Sequence, residues 1–241
     1  MILLNVWRIK MKDNIIFYFS DQQRFDTVNS EIMHNLMALA DEGTFFENCY
    51  TCQPVCGPAR ASLQTGVYPT ECGCHINGIP LRDDTKSLAD YFNENGYDTA
   101  YIGKLHLATG KNGGENIKCE KTAIPENRLW GYKYFRGADV LEFTSHGYDG
   151  FVFDEKGNKI DFEGYRADRI NDFAIEYIEN HNNDKPFFYL YLNLSHIIRM
   201  TTIDLRDQKK KLKNIRTTQY HKTWYILKVI ITSNIQITLL Q

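Results

Sequence analysis

Along the chain, short β-prone apolar runs alternate with stretches whose apolar positions recur every three or four residues. Asn14–Ser20 (NIIFYFS) predicts a buried strand that delivers Asp21 at its C-terminal end. Residues 31–42 predict a helix, with Ile32, Leu36 and Leu39 beside Met33, Met37 and Ala40 at helical spacing and Gly43 to stop it. Residues 58–65 predict a short helix, because Pro58 suits a first turn and Gly66 suits the position after the last. Another helix is expected over 87–95, with Leu88, Tyr91 and Phe92 on one side and Gly96 closing it. Residues 98–102 (DTAYI) predict a strand running into Gly103. Arg166–Asn180 predicts an amphipathic helix through Ile170, Phe173, Ala174, Tyr177 and Ile178, and 187–194 a further strand. Residues 107–165, irregular and rich in Gly and aromatics, predict loops and edge strands near a site. The alternation predicts an α/β fold, a mostly parallel sheet flanked by helices. Ligands of such sheets sit beyond the C-terminal strand ends, where Asp21 and Lys104 both fall.

Composition changes this picture only at the tail. With 241 residues, 43% hydrophobic and 24% charged, the chain reads as globular, which excludes disordered and collagen-like classes. Its apolar runs are far shorter than the roughly 20 residues of a membrane span, so no membrane partner is expected. A net charge of −2 gives no case for nucleic acid. The opening MILLNVWRIK has neither an extended apolar core nor a cleavage site, so a cytoplasmic location is expected. Residues 197–241, however, carry nine Lys and Arg against two Asp, and every Gly and Pro lies before Phe187.

Six cysteines permit three readings. Disulfides need an oxidising compartment, which the missing signal does not support. A metal cluster could draw on Cys49, Cys52 and Cys56 with Cys72, Cys74 and His75, but the spacing is not a paired CxxC. Reduced buried thiols are the reading for Cys49, Cys52, Cys72, Cys74 and Cys119. Cys56 stands apart, in CGPARASLQTG, just before a helix N-terminus whose free N–H groups favour an anion. Arg60 lies one turn further on the same face, placed to hold the residue 56 side chain or an anion.

That segment resembles the C-x-P-x-R-x4-T-G signature of the type I sulfatases, within the alkaline phosphatase superfamily. GYDTAYIGKLH over residues 96–106 is similar to the family's second signature, G-Y-x-T-x3-G-K-x-H, and NIIFYFSDQQRFD to its opening strand and metal turn. The three matches fall in the family's order and span residues 12–190. The resemblance implies that Cys56 is converted to formylglycine (3-oxoalanine) by a formylglycine-generating or anaerobic sulfatase-maturating enzyme. It implies a divalent cation, calcium by its oxygen ligands, held by Asp21, Gln22 and residue 56. It further implies metal-activated gem-diol attack on the sulfur of a sulfate ester, possible on a carbohydrate. Arg60 would orient the diol, Lys104 would clamp the sulfate, and His106 would hydrogen-bond the diol or the leaving oxygen. A phosphonate or phosphate ester hydrolase of the same superfamily, or a non-catalytic anion- or glycan-binding remnant, are the alternatives. Singly placed His75 and His146 read as structural, and the aromatics from Trp130 to Phe135 as a packed cluster rather than a sugar platform.

Beyond the strand at 187–194 the resemblance stops. The family carries there a further His, an acidic metal motif, a site Lys and a smaller subdomain, none recognisable here, so the catalytic domain is incomplete and the chain is expected to be inactive. Back-translated from the third base of each codon, residues 191–208 permit S-Q-L-E-P-H-H-Q-N-D-H-H-R-F-E-G-P, similar to the continuation of relatives that begin with Asp-Gln. The reading is therefore three segments: a non-native extension over 1–11, the N-terminal part of a sulfatase domain over 12–192, and an out-of-frame basic tail over 193–241. That tail is expected to pack poorly.

Overall fold

The computed structural model describes residues 12–21, 23–182 and 184–193, together with the backbone of Ile235–Leu239; at 191–193 the description is likewise of the backbone. Strands β1 (Asn14–Ser20), β2 (Asp98–Lys104), β3 (Tyr134–Ala138), β4 (Asp149–Asp154), β5 (Lys159–Glu163), β6 (Phe187–Asn193) and β7 (Ile235–Leu239) form one sheet in the order β5-β4-β3-β2-β6-β1-β7. From β3 to β7 every pairing is parallel, while β4 and β5 add an antiparallel flank. This is the mostly parallel sheet the sequence predicts.

Helices cover both faces. On one face, the core joins Phe17, Tyr101, Phe188 and Leu190 to α2 (Cys56–Thr65), through Ala61, and to α4 (Leu88–Glu94), through Ala89. On the other, Ile16, Ile102 and Tyr189 meet Ile170, Phe173, Ala174 and Tyr177 of α6 (Arg166–Asn180). Odd and even strand positions therefore serve two separate cores, as the two-residue side-chain period requires. Handedness explains the split. The β1→β2 connection moves across the sheet in the opposite direction to the connection that enters β6, and right-handed crossovers in opposite directions lie on opposite faces.

The predicted helix at 31–42 begins later, as α1 (His34–Glu42), because the Asn29 side chain accepts the N–H groups of Glu31 and Ile32 and holds them in a turn. The predicted helix at 58–65 begins earlier, at Cys56. Two short helices escape the apolar pattern, α3 (Pro69–Cys72) and α5 (Leu141–Thr144). The expected poorly packed tail falls mostly outside the described residues; its segment Ile235–Leu239 runs as the strand beside β1. Among the described residues no helix is long and apolar enough to cross a membrane.

Candidate active site

Three segments converge at the C-terminal ends of β1 and β2. Asp21 follows the last residue of β1, Lys104 closes β2, and the N-terminus of α2 brings Cys56 and Arg60. Register fixes the second of these: Lys104 sits opposite Ala138 of β3, one residue past the pair Gly103–Gly137. A Cβ at Gly137 would collide with the Gly103 carbonyl oxygen, so the close approach of the two strand ends needs glycine there.

Arg60 is 3% exposed and serves as the hub. Its guanidinium donates to Asp21 Oδ2 at 2.9 Å, to the Lys104 carbonyl oxygen at 2.6 Å and to the Tyr101 hydroxyl at 3.4 Å, while its Cζ lies 5.2 Å from the Phe19 ring centroid. Asp21 also faces Lys104 Nζ at 3.6 Å, so one carboxylate receives two buried cations. Lys104 Nζ donates to Glu142 of α5 at 2.6 Å. Burial pushes the Glu142 carboxyl up, but the ammonium beside it outweighs that and leaves its pKa below the ordinary value. Glu142 Oε2 is enclosed without a partner.

Cys56 is half-buried at the head of α2 and its pKa is brought down to about 6. The largest cause is a hydrogen bond from His106; burial opposes it, and the positive charge of Lys104 and the Asn77 amide add to the lowering. Asn77 Oδ1 accepts the Gly57 N–H at 2.9 Å, which turns its NH2 toward Cys56 Sγ, 3.5 Å away. Asn77 thus caps α2 from twenty residues away, where the local N-cap, Val55, has no side chain able to do so. His106 itself adopts a left-handed backbone, φ 57°, and its Nδ1 is enclosed without a partner.

The sequence-derived residues Asp21, Cys56, Arg60, Lys104 and His106 are therefore brought together, and Gln22 lies outside the described residues. Arg60 is aimed at Asp21 and Lys104 rather than at the residue 56 side chain, as its hydrogen bonds record. Sequence reasoning missed Asn77, Asp139 and Glu142. Asn77 and Glu142 sit in a loop and a four-residue helix that leave no periodic trace, while Asp139 follows directly on a strand end. Cys49 and Cys52 are exposed, contrary to the buried-thiol reading, because the loop before α2 lies on the surface; Cys72, Cys74 and Cys119 are buried as expected. Burial pushes the thiols of Cys74 and Cys119 up to about 12. All six are free thiols. His75 and His146 are exposed, bonded to the Gly73 carbonyl and beside Asp149. Trp130, Tyr132 and Phe135 lie in the core.

The described donors do not fit a divalent cation. No three His, Cys, Asp or Glu side chains among the described residues cluster to hold one, and the single carboxylate at the β1 end is already paired with Arg60. Position 56 does fit modification, since it is half-buried and lines an open cleft together with Asp21, Arg60 and residues of the loop before α2.

Comparison with known proteins reaches past the segment 12–192 that the sequence reading assigned. The family model described as Sulfatase matches residues 13–214. The chain is 32% identical over 191 residues to the protein named uncharacterized sulfatase YidJ of Escherichia coli K12, covering 73% of this chain and 37% of that one. It is 29% identical to an N-acetylglucosamine-6-O-sulfatase of Bacteroides thetaiotaomicron, covering 75% and 30%. Among solved structures, BT4656 in complex with its substrate D-glucosamine-2-N,6-O-disulfate matches with TM-score 0.63 and 27% identity over 78% of this chain and 35% of that one. A phosphonate monoester hydrolase of Agrobacterium radiobacter shares the fold, with TM-score 0.54 and 20% identity over 76% and 41%. The chain spans about a third of the length of the curated relatives it matches.

Proposed function

Because the chain belongs to the sulfatase family, we propose that its described residues form the nucleophile-bearing side of a sulfuric ester hydrolase site, acting on a sulfated glycan in the whole protein. One observation carries this reading: residue 56 heads α2 between His106 and Asn77, with the buried cations Arg60 and Lys104 beside it at Asp21. The family typically uses a metal and formylglycine, and formylglycine at position 56, made from Cys56 by a maturating enzyme, would supply the nucleophilic oxygen.

Each remaining role follows from position. Lys104 brings a buried positive charge to the space in front of residue 56, where an anionic sulfate group and its charge-rich transition state need one. His106 lies beside the head of α2 and lowers the pKa of the residue 56 thiol, and from there it can hold a proton on the nucleophile or hand one to the leaving oxygen. Arg60 fixes Asp21 and the end of β2 in one frame. The cation site implied by Asp21, Gln22 and residue 56 needs further acidic ligands, and we place these in the continuation that a restored reading frame encodes past residue 192. In the same reading residues 1–11 are a non-native extension and 193–241 are out of frame.

Co-expression with a maturating enzyme, followed by mass spectrometry of the peptide containing Cys56, tests the modification; the expected result is conversion of thiol to aldehyde. The frame-restored protein is then expected to hydrolyse an aryl sulfate, while the 241-residue chain is not. Preference of the restored protein for an aryl phosphate diester would favour the phosphonate or phosphate ester alternative. Sulfate-ester binding without turnover, with Cys56 unconverted, would favour a non-catalytic remnant.

A further inference from the structure

Asp139 follows directly on β3, is fully buried, and is not part of either sequence signature. Its carboxylate accepts three backbone N–H groups: Leu107 and Ala108 on Oδ1 and Thr109 on Oδ2, each at 2.9 Å. Its backbone carbonyl accepts a fourth, from His106, at 2.8 Å. Four consecutive N–H groups, 106 to 109, thus converge on one residue. They belong to a segment past the end of β2, where no ladder would otherwise satisfy them, and a buried N–H left unpaired is costly. A buried carboxylate is in turn tolerable only when its oxygens are bonded, so clamp and segment need one another.

The clamp begins at the residue with the unfavourable backbone. A non-glycine residue at φ 57° persists only where its surroundings over-determine it. Here the surroundings are Asp139. With the chain reversed out of β2 in this way, His106 lies against the head of α2, its carbonyl oxygen 3.6 Å from where a Cβ at Gly57 would stand.

We propose that Asp139 is a positioning residue for the site: by gathering the N–H groups of residues 106–109 it holds His106 in the left-handed conformation that sets it against the head of α2, beside residue 56. This rests on the reading of residue 56 and His106 as site groups, but its test needs no turnover. In unconverted wild-type protein, amides 107–109 are expected to resist hydrogen exchange although they lie outside helix and strand; exchange at unstructured-loop rates would overturn the proposal without any variant. Asp139→Asn keeps the shape but sets an NH2 against the N–H donors. It is expected to slow iodoacetamide labelling of Cys56 at neutral pH roughly fivefold, as His106→Ala does, because the thiolate loses its partner. The double variant is expected to be no slower than His106→Ala alone, and the His106 ring resonances are expected to shift in Asp139→Asn. Additive slowing, or labelling and ring resonances unchanged while the amides exchange faster, would assign Asp139 a structural role only. Absence of sulfatase activity in the frame-restored protein would leave these results standing and bear instead on the function.

Discussion

Arg60 shows how one side chain can belong to the core and the site at once. Three of its contacts tie the ends of β1 and β2 together. Arg60→Ala would strand the Asp21 carboxylate with only Lys104 nearby, and is expected to cost about 3–5 kcal/mol in urea unfolding, the range for breaking a buried pair. Sequence marked Arg60 through its motif and its spacing from Cys56, but not its direction, since a one-turn offset in a helix does not say which neighbour wins a guanidinium. The Cys56 thiol makes a second residue-scale prediction. Its folded pKa near 6 lies below the ordinary value, so the unfolded chain binds the proton more tightly. The associated stabilisation is present above the unfolded pKa and is lost as pH falls through about 6. Labelling of Cys56 in the unconverted chain should accordingly be half-maximal near pH 6, below the ordinary thiol value.

At the scale of elements, what the sequence made legible was periodic. Arg166–Asn180 came out with its predicted bounds because α6 buries a continuous stripe. Helix α4 was legible through Leu88, Tyr91 and Phe92, and its start is fixed by Ser87, whose hydroxyl accepts the Asp90 N–H while the Asp90 carboxylate accepts the Ser87 N–H. Ser87 Oγ also donates to the Trp130 carbonyl. Ser87→Ala removes both and is expected to lower stability by about 2 kcal/mol, measurable as a shifted denaturation midpoint. Gly137→Ala is expected to be worse, because its methyl meets backbone rather than a movable side chain; little folded protein should be recovered. The long-range devices were not legible. Asn77 capping α2 and Asp139 gripping residues 107–109 join segments 20 and about 30 residues apart, and no local pattern encodes such a meeting.

For the whole molecule, the shift in composition after residue 192 carries the prediction. Re-sequencing from codon 180 past the stop is expected to reveal a single-base slip near codons 190–192, with P-H-H-Q-N-D in the corrected frame; an unbroken frame on both strands would sink the idea. Pairing of Ile235–Leu239 with β1 is compatible with such an origin, since the open edge of a strand accepts any β-prone segment that reaches it, and IQITL is one. The sheet order has a kinetic consequence. Strand β1 is made first, yet it lies between β6 and β7, and Asn14 waits 173 residues for the Phe187 N–H. At ~5–20 residues per second, that is ~10–35 s on the ribosome with both β1 edges unpaired. Its apolar IIFYF run is therefore most hazardous during synthesis, before the sheet has closed around it, and a chaperone that shields nascent chains should raise the soluble yield more than any treatment of the finished protein.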